Sequence, residues 1–218
     1  VSQDLVATAA GNPFAVMNTV GLVAFALVGA AKAIRAEFDL LGITIVGLAM
    51  AFAGGVTRDL LVSRVPLALQ SPTEIGLGLV GVGLAIGLNL ASSAPDSHPV
   101  TVVADAIGLG TFATTGAIVA TGAGVSAFGV VAIATINAVG GGAVADVLLD
   151  RAPFVLFDDF YASCAVLGGG AYWISGAVGA GVGTAALVCA GVTVATRLAA
   201  VTFDWRLPTV QQLGIRQG

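Results

Sequence analysis

Seven apolar runs alternate with short polar or proline-marked breaks: Met17–Ala33, Leu40–Val62, Ile75–Leu90, Val100–Ala120, Ser126–Leu149, Tyr161–Val178 and Gly181–Val201. Each approaches the roughly 20 apolar residues that a helix needs to cross a bilayer. None alternates at every second residue as a membrane barrel strand would. The pattern predicts an all-α integral membrane protein of seven transmembrane helices. Charges gather at the breaks, as in Lys32, Arg35, Glu37 and Asp39 after the first run and Asp150 and Arg151 after the fifth. Ala94–Pro99 is a linker carrying His98, which is expected to be solvated. Phe154–Phe160 is expected to lie at the membrane interface, and so is the ending Phe203–Pro208, where Trp205 and Arg206 suit the headgroup level. The start, Val1–Pro13, is a mixed tail; lacking a basic segment, it is not expected to be a cleavable signal.

The chain is internally repeated. Shifted by 87 residues without a gap, Asn18–Leu69 overlays Asp105–Leu156 with 17 identities in 52 positions. Among them are Phe25/Phe112, Gly54/Gly141, Gly55/Gly142, Asp59/Asp146, Arg64/Arg151 and Pro66/Pro153. Each unit holds three spans, an odd number, so the second must enter the membrane from the opposite side. This predicts two inverted three-helix repeats (residues 17–92 and 100–178) and a seventh helix (181–201), with a pseudo-two-fold axis in the membrane plane.

Composition agrees with the pattern. Hydrophobic residues make up 57% and charged residues 9%, against roughly 25% charged in soluble domains; mean hydropathy is +1.02. The surrounding partner is therefore membrane lipid. Lys and Arg set orientation. With the N-terminus outside, the inner segments hold Lys32, Arg35, Arg151, Arg197, Arg206 and Arg216, and the outer ones Arg58 and Arg64. This places the N-terminus outside and the C-terminus in the cytoplasm of a cell-membrane protein. Cys164 and Cys189 fall within spans and read as small apolar fillers.

Two stretches stand at the centre of the repeat: Ala53-Gly54-Gly55-Val56-Thr57-Arg58-Asp59 and Gly140-Gly141-Gly142-Ala143-Val144-Ala145-Asp146. Paired glycines cost a helix about 1 kcal/mol each relative to Ala. Paired interruptions in two halves of a membrane protein point to a transport site. Spans 2 and 5 are therefore expected to be broken there, freeing carbonyls near Ala53 and Gly140 as cation ligands; close packing of small residues is the plainer alternative. Asp59 and Asp146 follow by about a turn and either line a pathway or sit in a buried pair with Arg58. Asn18 and Asp105, equivalent by the repeat, either line its two mouths or cap their helices. Phe25 and Phe112 either form a hydrophobic constriction or pack. Lys32 and Arg35 are simplest as interfacial anchors, and Asn137 and the threonines of spans 4 and 5 as helix–helix hydrogen-bonding groups. No nucleophile–base pair, nucleotide loop or metal-ligand spacing is present, so no enzyme, cofactor, metal or nucleic-acid partner is indicated.

Gly21-Leu-Val-Ala-Phe25-Ala-Leu-Val-Gly29, Asp39-Leu-Leu-Gly42, Gly54-Gly55-Val-Thr-Arg58-Asp59, Pro66 and the ending Arg197–Pro208 resemble the prokaryotic branch of the TRIC family of trimeric intracellular cation channels. The same domain has also been labelled a glycine transporter. The resemblance covers about Met17 to Pro208. It implies a homotrimer with one K⁺- and Na⁺-permeable pore in each subunit, flanked by spans 2 and 5. The second repeat departs from the pattern, with Ala145 where the first has Arg58. Animal members bind an anionic lipid through a basic motif in span 4. Here Ala117–Gly124 has no Lys or Arg, so that regulation is not carried over. A secondary transporter of a small solute such as glycine is the alternative function.

Overall fold

The computed structural model describes residues 11–91, 99–156 and 160–207. Most of the starting tail, the linker around His98, residues 157–159 and Pro208 lie outside the described residues. The described residues form seven α-helices: α1 Pro13–Arg35, α2 Leu40–Leu61, α3 Pro72–Ala91, α4 Pro99–Gly122, α5 Ala127–Leu148, α6 Tyr161–Ala177 and α7 Val182–Thr202. Six are long and apolar enough to cross a membrane. The other, α6, has 17 residues, about 26 Å at 1.5 Å per residue. It packs between α5 and α7. The chain is thus a multi-pass membrane protein.

The helix ends follow from local sequence. Asn12 caps α1 through Ala15 N–H, and Pro13 fits the first turn, where its missing N–H costs nothing. Asp39 and Ser126, equivalent by the repeat, cap α2 and α5 through the N–H groups of Gly42 and Gly129. At the far ends, Ser63 and Asp150 adopt positive φ (56° and 54°). Each closes a helix in the same way: Arg64 N–H reaches Asp59 O at 2.8 Å, and Arg151 N–H reaches Asp146 O at 2.9 Å. Pro66 and Pro153 follow, leading into short 3₁₀ turns at Leu67–Leu69 and Phe154–Leu156.

The repeat is inverted in space. Helices α2 and α5 cross at their glycines: a Cβ on Gly54 would collide with the carbonyl of Asn137, and one on Gly141 with the carbonyl of Met50. Position 54 facing 137 while 50 faces 141 means that the helices run antiparallel. Phe25 and Phe112 meet edge to face, ring centroids 5.0 Å apart and interplanar angle 88°, where α1 packs on α4. Both rings are buried, each against the other repeat's glycine, Gly108 or Gly21. The core is this four-helix centre, with α3 against α1 and with α6 and α7 against α4 and α5.

One expectation is corrected. Helices α2 and α5 are not broken: both run without interruption through Gly54-Gly55 and Gly140–Gly142. The carbonyls near Ala53 and Gly140 therefore stay in the helical ladder, and Ala53 O also accepts from the Thr57 hydroxyl at 2.8 Å. The physical reason is the crossing. Gly54 and Gly141 sit where one backbone rests on the other, and lost helix propensity of about 1 kcal/mol per glycine is offset by close packing.

Candidate functional site

Two equivalent polar clusters lie at opposite ends of the α2/α5 crossing. At one end Asp59 Oδ1 takes Arg58 at 2.8 Å, and Oδ2 accepts the N–H of Leu67 at 3.0 Å. At the other Asp146 Oδ1 takes Lys32 Nζ at 2.7 Å, and Oδ2 accepts the N–H of Phe154 at 3.1 Å. The backbone donors, Leu67 and Phe154, are themselves 87 residues apart. Each carboxylate is thus locked to the first residue of the 3₁₀ turn eight residues on.

The counter-charges do not follow the repeat. Arg58 is replaced by Ala145 in the second unit, and Lys32 by Val119. Asp59 is neutralised by its own neighbour, with Val119 across the cavity. Asp146 is neutralised across the helix interface from α1. Each buried carboxylate has one cation, as burial demands, but the two are supplied from different places. Lys32 also lies over the Phe154 ring at 4.9 Å, and Arg58 over the Phe14 ring at 5.4 Å.

A second carboxylate accompanies each. Asn18 Nδ2 donates to Glu74 Oε2 at 2.8 Å. At the equivalent pair the acid has changed helix: Asp105 accepts from Tyr161 O–H at 3.1 Å and from Arg197 Nε at 3.4 Å. Asn18 and Asp105 stand well inside α1 and α4, so neither is a cap. Glu74, Tyr161, Arg197 and the pairing of Lys32 are site features that the sequence did not single out. The ungapped overlay ended at Leu69/Leu156, five residues short of Glu74/Tyr161. The helical pattern of α3 and α6 extends the repeat to Glu74 and Tyr161, whereas Arg197 lies on α7, outside it.

Three cavities border these groups. One of about 450 Å³ is lined by Lys32, Arg35, Asp105, Asp146, Arg151 and Arg197 among others. One of about 380 Å³ holds Arg58, Asp59, Arg64 and Gln70. A third, about 20 Å³, adjoins the second through Arg58, Asp59 and Leu67 and reaches inward to Gly55 and Phe112. That is room for one water molecule. The cavity of about 380 Å³ therefore narrows toward the helix crossing beside Gly55 and Phe112. Among the described residues no cluster of His, Cys, Asp or Glu could hold a metal ion.

Residues 15–89 and again 102–176 match the family described as Glycine transporter, so both repeats are copies of one unit. A UPF0126 membrane protein of Deinococcus radiodurans is 34% identical over 163 residues, 72% of this chain and 74% of that protein. A solved structure described as "Structural basis for conductance through TRIC cation channels" superposes with a TM-score of 0.80 at 33% identity, covering 90% of this chain and 96% of its own. The chain belongs to the TRIC family. The TRIC trimeric intracellular cation channel orthologue from Rhodobacter sphaeroides gives 0.79 at 28% identity, over 88% of this chain and 98% of that one.

Proposed function

We propose that this TRIC-family protein is a passive channel for monovalent cations, K⁺ and Na⁺, with a pathway inside each subunit of a homotrimer. The observation that carries the proposal is a pair of vestibules at the two equivalent ends, one lined by Asp105 and Asp146 and the other by Asp59, the second continuing into a water-sized waist lined by Glu74, Gly55 and Phe112. The carboxylates offer oxygen ligands to a passing cation, and the Lys and Arg paired with them keep the sites weak enough to release it. Of the residues named from sequence, Asp59, Asp105 and Asp146 line the mouths, Asn18 and Phe112 line the waist, and Phe25 packs edge to face on Phe112. Arg58 neutralises its neighbour. Gly54 and Gly141 hold the crossing, with Gly140 beside Gly54 and Gly142 near Phe154; Gly55 lines the waist. The units 17–92, 100–178 and 181–201 are the repeat and closing helix of this device, and no step of it calls for an enzyme.

Purified protein in a planar bilayer tests this. Discrete current steps reversing at the K⁺ equilibrium potential in a KCl gradient are expected. The description of the matched family favours a second reading, glycine transport. Saturable uptake of labelled glycine into proteoliposomes, without unitary currents, would replace the channel by that reading.

Orientation and assembly give two further expectations. A cysteine at Ser97 should react with an impermeant reagent only from the cytoplasmic side, and one at Ser2 only from outside; the reverse pattern would invert the proposed topology. On α3 and α6, Gly78, Gly81, Gly168 and Gly169 pack against neighbouring helices, while nothing within the subunit lies near Gly76, Gly83, Gly87, Gly170 and Gly176. These open positions permit close approach of lipid or of another subunit. Native mass measurement should give the trimer, and a mass of monomer or dimer alone would reject it.

A further inference from the structure

Asn137 is fully buried on α5 at the helix crossing. Its Nδ2 spends both hydrogens on α4, donating to Phe112 O at 2.5 Å and Thr115 Oγ1 at 2.9 Å. Turning the amide over would set its oxygen against the Phe112 carbonyl, so the orientation is fixed. Its Oδ1 then accepts from no group among the described residues. A buried acceptor left unmade costs about 1–3 kcal/mol. The equivalent residue in the first repeat is Met50, which makes no such demand.

Oδ1 lies 4.0 Å from where a Cβ at Gly55 would stand. Gly55 in turn lines the water-sized cavity that also contains Glu74, Asn18 and Phe112. Arg58 Nη2 is 3.8 Å from the same point, but its charge is matched by Asp59. Glu74 has only the Asn18 amide as a hydrogen-bond partner and no ion pair among the described residues. The three charges around the cavity, Arg58, Asp59 and Glu74, therefore sum to −1. A potassium ion and a water molecule are close in size.

We propose that the space beside Gly55 is a binding site for one partly dehydrated monovalent cation, with Asn137 Oδ1 as its inner oxygen ligand and Glu74 as the source of its negative charge. The inference rests on the channel reading for its role in conduction, though not for binding itself. One neutral oxygen and one carboxylate hold an ion weakly enough to release it, which conduction requires. The site belongs to the first-repeat end only, so the pathway is asymmetric about its two-fold.

Thallium(I), a heavy K⁺ substitute, tests the site by anomalous diffraction, and bilayer recording tests its role. A thallium peak is expected beside Gly55 within ligand distance of Asn137 Oδ1. It should vanish in Asn137→Leu and weaken in Glu74→Gln, and both variants should show K⁺ conductance reduced several-fold and a changed K⁺/Na⁺ permeability ratio. Should Asn137→Leu fail to assemble, Gly55→Ala fills the same space without touching the Asn137 donors, and the peak should vanish there as well. Density bridging Arg58 and Asn137 without anomalous signal would mean a structural water and overturn the proposal. So would parental conductance and permeability ratio in all assembled variants. A thallium peak in a protein without unitary currents would keep the site and reject the channel reading instead.

Discussion

Gly54→Ala and Gly141→Ala should each abolish correct assembly, while Gly55→Ala should not. A methyl on Gly54 would occupy the carbonyl of Asn137, and one on Gly141 the carbonyl of Met50. Both obstacles are backbone, in helices fixed on both sides, so neither can rotate away. Overpacking a tight core typically costs about 1–3 kcal/mol and sometimes more, and backbone against backbone lies at the severe end. A Cβ on Gly55 meets nothing closer than 3.8 Å, and one on Gly142 nothing closer than 3.6 Å. Fluorescence-detected size exclusion of the four variants is the measurement. The first two should aggregate or lose yield, and the others should elute with the parent. If Gly54→Ala elutes normally, the crossing is looser than described and close packing no longer explains the pair of glycines.

That contrast also marks the limit of what the sequence discloses. The spans were legible nearly to the residue because lipid forces every backbone group into helix: Leu40–Val62 became Leu40–Leu61, and Tyr161–Val178 became Tyr161–Ala177. The inverted repeat was legible because the same fold was written twice. The state of the glycines was not. A glycine pair looks alike in sequence whether it breaks a helix or lets another helix rest on it, and the choice lies with residues more than 80 positions away, Asn137 for Gly54 and Met50 for Gly141. Charge pairing was half legible. Arg58 beside Asp59 is a local fact, whereas Lys32 and Asp146 are 114 residues apart. The repeat did hold a hint: a buried Asp146 whose equivalent arginine had become Ala145 must find its cation elsewhere.

That displaced counter-charge predicts unequal consequences at the two ends. Asp59→Asn leaves the Arg58 guanidinium buried, 2% exposed, with its ion-pair partner gone. Breaking a buried pair from one side costs about 3–5 kcal/mol, so this variant should lose yield or thermal stability. Asp146→Asn frees Lys32 instead, whose side chain is 17% exposed and borders the cavity of about 450 Å³. A long flexible ammonium there can turn into water. Asp146→Asn should therefore assemble but conduct poorly. The vestibule would lose a negative charge and keep Lys32 together with Arg35, Arg151 and Arg197. The deficit should be greatest at low salt, since screening lengths shrink from about 30 Å at 0.01 M to about 3 Å at 1 M. The double variant Lys32→Met with Asp146→Asn removes both charges and should regain most of the lost conductance. A plain loss of Asp146 packing would not be rescued by a second change, so the two-residue cycle separates the causes. Single-channel conductance across a KCl series for the parent, both single variants and the double variant gives the answer. If Asp146→Asn conducts like the parent at low salt, the Lys32–Asp146 pair lies outside the ion pathway, and the vestibule it borders is not the route by which cations cross.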